Sequence, residues 1–504
     1  MAAPAAPRPS LDAVRALARE HELVPVVAEL LADCDTPVSA FLRLGVARGA
    51  FLLESVEGGE RLARYSFIGA EPMATLTLNR GVATTAHADG GAFDRPYTDP
   101  LAVLEEEVSR WRVAPLEAFD APLLGGAVGF LSYEAATCFE RVPVAAADPL
   151  RIPHGWFALV DTLIVFDHVS HRMVLVTHAR CPPGADVDEA YAGAVARLDD
   201  LRARLRRPLP PPLPSAAVRL TDVSLPQAAA NLSREDFMAA VRRCREHILA
   251  GDIYQVQIGR RFELPLRAGA FDVYRALRSL NPSPYMFFLD TPAAQVVGAS
   301  PEMLVRVIGR HVDYHPIAGT RRRGATPERD AALEQELRTS EKERAEHLML
   351  VDLGRNDLGR VCRIGSVRVE EMMGVERYSH VMHLVSSLSG ELAEGCTAVD
   401  AWRACFPAGT VTGAPKLRAM EIIAGLEPQA RGVYAGAAGY LGFGGNLDTA
   451  IALRTLLVKG DVAYAQASAG IVADSTEAEE ALEIDNKVAA LLLAVERANA
   501  GLEW

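Results

Sequence analysis

The chain predicts an α+β fold, and three observations lead there. Strand-like and helix-like segments alternate without the strict strand–helix–strand regularity of a doubly wound sheet. No fixed-period repeat is visible. Half of the 504 residues are hydrophobic and 23% are charged, ordinary for a globular chain of one large unit or a few domains.

Taken in order, 50–55 reads as a strand followed by a Gly58-Gly59 turn. An apolar strand at 157–161 runs into 163–166, and 173–177 returns as a hairpin. A helix fits 191–205. Next comes Arg206-Arg-Pro-Leu-Pro-Pro-Pro-Leu-Pro-Ser215, whose five prolines exclude helix and favour an extended spacer. It separates an N-terminal part (1–205) from a C-terminal part (226–504) through a linker (206–225). Ser233 is an N-cap before Phe237, Val241, Cys244 and Ile248 at helical spacing. Strands are expected at 255–258, 285–289 and 303–308, then helices at 330–353 and 416–423. Strands at 435–441, 449–458 and 462–467 precede a last helix at 477–499. Gly442-Phe-Gly-Gly445 reads as a hairpin turn, because no phosphate-loop pattern surrounds it.

Composition excludes several functions. A net charge of −13 disfavours nucleic acid. No run of about 18 apolar residues predicts a membrane span. Met1 to Ser10 lacks the apolar core of a secretory signal. Cysteines 34, 138, 181, 244, 362, 396 and 405 are odd in number and lack CxxC spacing. They suit free thiols in a reducing cytoplasm, with neither disulfide framework nor zinc site.

Two helical segments each carry glutamates three residues apart, Glu343 with Glu346 and Glu480 with Glu483. Such pairs share a helix face. The first face continues as Leu350 and Leu353, the second as Lys487, Ala490 and Leu491, so both look inward. Inward carboxylates call for positive charge, which a hard divalent cation held by oxygens would supply. Spacing alone leaves open a capping box at Ser340 and Glu343 with solvated glutamates elsewhere.

Seven ordered motifs resolve the family. They are Gly251-Asp-Ile-Tyr-Gln-Val256, Asn281-Pro-Ser-Pro-Tyr-Met286, Gly298-Ala-Ser-Pro-Glu302, Pro316-Ile-Ala-Gly-Thr320, Glu346-His-Leu-Met-Leu-Val-Asp-Leu353, Pro407-Ala-Gly-Thr-Val-Thr-Gly-Ala-Pro-Lys416 and Asn486-Lys487. In this order they resemble the chorismate-utilising enzymes, over roughly residues 20–500. The resemblance implies two facing, mainly antiparallel sheets with helices outside, and chorismate bound with Mg²⁺. It implies Glu346 and Glu483 at the metal, with Glu343 and Glu480 completing an acidic cage. Arg454 and Tyr434 would hold the enolpyruvyl carboxylate, Lys487 would neutralise a carboxylate, and Gly470 would offer a backbone N–H. Gly319, Thr320, Thr410 and His383 would wall the pocket. Glu302 would be the general acid for the departing ring hydroxyl, and His383 would steer loss of pyruvate.

Two positions distinguish among members. Where isochorismate and salicylate synthases carry a water-activating lysine, this chain has Gln255. Where aminodeoxychorismate synthases often carry a nucleophilic lysine, it has Ala318. Both point to amination by ammonia beside the ring carboxylate and then pyruvate loss, as in the anthranilate synthases. Aminodeoxyisochorismate and aminodeoxychorismate synthesis are the alternatives. Leu53-Glu-Ser55 and Arg64-Tyr-Ser-Phe-Ile-Gly69 resemble those enzymes' tryptophan feedback site, completed by Pro284-Tyr-Met286. Glu54 would meet the ammonium of L-tryptophan, while Ser55, Pro284, Tyr285 and Met286 would wrap its indole. No glutaminase module is recognisable in the 504 residues. Glutamine-derived ammonia would therefore come from a separate amidotransferase subunit (component II), in a cytoplasmic hetero-oligomer.

Overall fold

The computed structural model describes residues 6–45, 47–56, 64–116, 119, 121–210, 226–378 and 381–502. The Gly58-Gly59 turn and most of the proline-rich linker lie outside the described residues.

Two 12-stranded sheets dominate, and among the described residues every pairing between their strands is antiparallel. The first runs Leu23–Leu31, Arg172–Arg180, Leu163–Asp167, Tyr65–Gly69, Phe51–Glu54, Tyr285–Asp290, Gln295–Ser300, Thr455–Lys459, Val462–Ile471, Gln255–Pro265 and Ala229–Ala230 in spatial order. Gly413–Ala414 also pairs with Gln255–Pro265. The second runs Ile317–Arg322, Val381–Glu391, His311–Tyr314, Met303–Ile308, Leu447–Ile451, Ala437–Gly442, Gly126–Leu131, Gly155–Val160, Ala74–Asn79, Val82–His87 and Ala92–Pro96. Arg368–Arg377 adds to Val381–Glu391. Strands from before residue 206 and after residue 226 mix within both sheets.

Neighbouring residues of a strand serve different layers, because side chains alternate across a sheet. Phe51 packs with Val128, Phe130, Trp156, Phe287 and Tyr440 between the sheets. Leu52 faces the other way, into the core under helices Val187–Leu205, Arg234–Leu249, Ala270–Leu280 and Glu477–Ala500. On the second sheet Phe157 and Leu159 face helices Pro100–Ser109 and Ala398–Cys405. The result is helices, sheet, sheet, helices.

The chain passes directly from one sheet to the other several times, first between Tyr65–Gly69 and Ala74–Asn79, and three later crossings bear on the sequence reading and the site. The segment read as one strand at 157–166 is two: Gly155–Val160 lies in the second sheet and Leu163–Asp167 in the first. Gln295–Ser300 of the first sheet passes through Pro301 and Glu302 into Met303–Ile308 of the second. The segment expected as one strand at 449–458 is likewise divided. It leaves the second sheet after Ile451 and enters the first at Thr455, with Arg454 at φ +48° in the passage. A continuous apolar run cannot reveal such a crossing, since both sheets want the same residues.

The helix expected at 330–353 also divides, into Pro327–Thr339 and Glu341–Gly359. Ser340 ends one at φ −64°, ψ 114° and caps the next, accepting the Glu343 N–H at 3.4 Å. Thr326 caps the earlier helix, and Ser233 caps Arg234–Leu249 as expected. Gly442–Gly445 turns the hairpin between Ala437–Gly442 and Leu447–Ile451. Among the described residues no helix is long and apolar enough to cross a membrane, and the seven cysteines are free.

Candidate active site

The two neighbouring crossings form a seam. Ser300 donates its hydroxyl to Ile451 O (2.6 Å), Ile451 N donates to Glu302 O (3.0 Å), and Ala299 N donates to Arg454 O (3.1 Å). Glu302 and Arg454, far apart in sequence, are thus held side by side by backbone.

Glu302 is only 6% exposed, and burial pushes its carboxyl up to about 8. Thr410, the Ile317 N–H and the charge of Lys487 pull the other way. Thr410 stands beside this carboxyl, yet its Oγ1 is buried and forms no hydrogen bond of good geometry. A carboxyl that burial favours in its protonated form therefore sits beside the Thr410 hydroxyl.

Arg454 donates Nη1 to Lys487 O at 2.8 Å and pairs with no carboxylate among the described residues. Burial lowers its pKa, against the fields of Tyr434 and Glu483. It is a guanidinium fork still available to an anion. The expectation that it lies within a strand is corrected: it occupies the break between two.

Tyr434 is buried and donates to Ser468 Oγ at 2.8 Å, which donates to Gln257 Oε1 at 2.9 Å. Lys487 Nζ donates to Ser468 O at 2.8 Å and pairs with Glu483 at 2.6 Å. Gly470 lies opposite Gln257 in the antiparallel register. A Cβ there would come within 2.8 Å of the Gln257 amide and 2.9 Å of the Gln255 amide. Glycine keeps both glutamines close beneath the pocket.

His383 Nδ1 lies 3.0 Å from Gly319 O and 3.0 Å from Thr320 Oγ1. A carbonyl only accepts, so Nδ1 carries the hydrogen and Nε2 is left as an acceptor. Burial and the charge of Arg454 hold this imidazole below its usual pKa. Gly319 takes φ +65°, and a Cβ on it would reach within 3.0 Å of Glu343 Oε2.

The four glutamates face one another across helices Glu341–Gly359 and Glu477–Ala500. Glu346 is pushed up to about 7, by burial first, with Glu343, Glu483 and Glu480 adding repulsion and Lys342 opposing. Glu480 is also raised, mainly by burial. Their engagement differs. Arg321 pairs with Glu343 at 2.9 Å, and Lys487 pairs with Glu483. Glu346 has no hydrogen bond or ion pair among the described residues, and Glu480 Oε2 is buried without a partner. No three His, Cys, Asp or Glu groups among the described residues converge tightly enough to hold an ion as they stand. An all-oxygen, mutually repelling set with an orphaned buried oxygen still fits a hard cation, once Arg321 and Lys487 give way.

A separate cavity of ≈ 400 Å³ lies between the sheets. Glu54, Ser55, Pro284, Tyr285 and Met286 all line it, with Arg306 and Asp448 from the second sheet. Glu54 is engaged already: Arg278 grips it at 3.0 and 3.1 Å, and Tyr274 donates to it. Ser55 Oγ, Tyr285 Oη and Asp448 Oδ1 are buried and lack hydrogen bonds of good geometry, though Tyr285 and Asp448 perturb each other's ionisation.

Ser468, Gln257, Arg321 and Asp448 were missed from sequence. Ser468 sits two residues before Gly470, so strand alternation puts both on one face; that signal was readable. Arg321 and Asp448 had none, because only folding brings them to Glu343 and the cavity.

The chain belongs to the family described as chorismate binding enzyme, which matches residues 49–493. Within it the likeness is to one member in particular. The chain is 49% identical over 498 residues to anthranilate synthase component 1 of Streptomyces coelicolor, covering 98% of this chain and 93% of that one. It is 46% identical over 501 residues to the protein of the same name from Mycolicibacterium smegmatis, covering 96% and 93%. The crystal structure of anthranilate synthase component I from Streptococcus pneumoniae superposes with TM-score 0.73 at 35% identity, covering 92% and 99%. The menaquinone-specific isochorismate synthase of Escherichia coli (TM-score 0.69, 19% identity, 96% and 98% coverage) shares the fold.

Proposed function

We propose that this chain converts chorismate and ammonia to anthranilate, pyruvate and water, with Mg²⁺ as cofactor. One observation carries the reading: the same seam holds a carboxyl that burial favours in its protonated form, Glu302, and Arg454, a guanidinium without a carboxylate partner among the described residues. A dicarboxylate bearing a leaving hydroxyl matches that pair. Arg454 and Tyr434 grip one carboxylate. Ammonia attacks the ring carbon beside the other. Glu302 gives its proton to the hydroxyl, which leaves as water. His383 Nε2 then takes the ring proton as pyruvate departs. Gln255 cannot take a proton from water, which favours ammonia as nucleophile. Glu346 and Glu480 would hold Mg²⁺ first, joined by Glu343 and Glu483. Bound there, the ion supplies Lewis-acid polarisation of the ring carboxylate.

The cavity between the sheets is our candidate for feedback by L-tryptophan. Its volume falls in the range of small-molecule sites. Ser55 Oγ, Tyr285 Oη and Asp448 Oδ1 are its buried polar atoms without hydrogen bonds of good geometry, so Asp448, although it feels Arg306 and Tyr285, is a second candidate ammonium acceptor beside the engaged Glu54. We also assign a separate glutaminase subunit as partner and the cytoplasm as location. The test is direct: purified chain, chorismate, Mg²⁺ and ammonium should yield fluorescent anthranilate and equimolar pyruvate. Isochorismate as the main product, formed without ammonium, would overturn the assignment.

A further inference from the structure

Thr410, Tyr434 and Arg454 sit on short turns or strand breaks, so something must fix their mutual placement. Arg431 is where their backbones meet. Its guanidinium is 2% exposed and grips Glu427 with two bonds, Nε to Oε2 at 2.8 Å and Nη2 to Oε1 at 2.6 Å. Its other bonds go to carbonyls: Nη1 to Val411 O at 2.7 Å and Nη2 to Gln257 O at 2.9 Å. Glu427 Oε1 also accepts Gly259 N at 2.8 Å. The backbone N–H groups of Arg431 and Gly432 donate to the carboxylate of Glu134, at 2.7 and 2.9 Å. The guanidinium carbon lies 4.7 Å from the Tyr133 ring centre and 5.9 Å from that of Tyr434.

Each partner adjoins a pocket residue. Val411 follows Thr410. Gln257 shares a strand with Gln255 and carries the end of the Tyr434–Ser468 chain. Tyr434 comes one short turn after Arg431. Glu134 belongs to the 3₁₀ helix Tyr133–Cys138, so residues from before the linker clamp the same turn. A buried ion pair is by itself weak grounds for a stability role, since apolar replacements are often neutral or better. What stands out here is where the donors point: both carbonyls bonded by the guanidinium belong to pocket-bearing backbone.

We propose that Arg431, clamped by Glu427 and Glu134, is a positioning residue that fixes Thr410, Gln257 and Tyr434 relative to one another and so shapes the chorismate pocket. The substrate's identity rests on the function proposed above. Arg431→Lys keeps the charge but loses the fork geometry, and Glu427→Gln loses the charge but keeps the size. Each should raise KM for chorismate about tenfold and lower kcat/KM on the order of 10²-fold, as small misplacements do. KM for ammonium should stay unchanged. Chorismate binding by calorimetry should weaken in parallel. A merely structural role would lower the melting temperature and the active fraction while leaving KM for chorismate and calorimetric affinity at wild-type values, and that result overturns the inference. If Arg431→Lys does not fold, Glu427→Gln and the milder Glu134→Gln carry the same comparison, and unchanged KM for chorismate in both overturns it. A wild type that neither binds nor converts chorismate sinks the proposed function and this inference together. A wild type that does both, with unaltered variants, sinks the inference alone.

Discussion

Replacing Glu302 by glutamine should make the protein more stable and nearly inactive, and the stability gain should depend on pH in a defined way. Burial moves the carboxyl from 4.5 to about 8. At roughly 1.4 kcal/mol per pH unit, ionising it in place is disfavoured by about 5 kcal/mol. Because the folded pKa lies above the unfolded one, the group's favourable contribution is complete below pH 4.5. It is lost as pH rises towards 8, where the unfolded chain binds fewer protons. By pH 7 the loss amounts to about 3 kcal/mol. Glutamine does not titrate, so the stability of the variant relative to wild type should climb by about 1.4 kcal/mol per pH unit between 5 and 8, then level off. Denaturant unfolding of both proteins at pH 5, 6, 7, 8 and 9 reads this directly. Over the same range wild-type kcat/KM should fall on an alkaline limb near 8, absent from the variant's residual activity, itself about 10²–10⁴-fold lower. A stability difference that stays flat from pH 5 to 8 would refute the claim that Glu302 is held protonated, and with it the acid assigned to the leaving hydroxyl.

Three further outcomes are expected. Glu346→Gln and Glu480→Gln should each raise the Mg²⁺ concentration needed for half-maximal turnover while leaving the fold intact, read by an Mg²⁺ titration and circular dichroism; full wild-type activity in excess EDTA would refute the metal reading. Arg454→Gln removes a charged hydrogen-bonding fork worth about 1.5–3 kcal/mol per bond, so kcat/KM for chorismate should fall at least about tenfold, with a rise in KM. Ser55→Phe should fill the cavity between the sheets and abolish tryptophan inhibition with near-normal basal turnover, and Asp448→Asn should weaken tryptophan binding. Binding free energies are reciprocal, so calorimetric titration of tryptophan with and without chorismate must show different affinities if the cavity is regulatory.

The layered α+β architecture was legible because apolar strands and capped helices follow local rules. Ser233 announced its helix, and Gly442–Gly445 its hairpin. The spacing of Glu343 with Glu346 and of Glu480 with Glu483 was equally plain, and the structure brings the two pairs within each other's field. What stayed hidden depends on contacts between distant segments. The break at Ser340 was invisible because Ser340 serves two helices at once, ending one and capping the next. The crossing at Arg454, like the one between Val160 and Leu163, interrupts a run that looks continuous, since the residues on either side are buried in one sheet or the other, while the strand Gln295–Ser300 before Glu302 was not read at all. The engagement of Glu343 by Arg321, and of Glu54 by Arg278, needs a fold before it exists.

The seam makes the separation of acid and arginine a matter of core thickness. Glu302 and Arg454 ride on chains passing from one sheet to the other, so their geometry follows how far the sheets stand apart. Phe51, Phe130 and Trp156 are among the largest side chains buried between the sheets, in the layer that fills that spacing. These residues work as shims. Tight packing leaves little slack to absorb a change of a methylene, so repacking this layer should shift the spacing of Glu302 and Arg454 as well as lower stability. Selection for turnover therefore reaches into the hydrophobic filling of the sandwich, and substitutions there belong among the first candidates when related chains differ in activity but share every pocket residue.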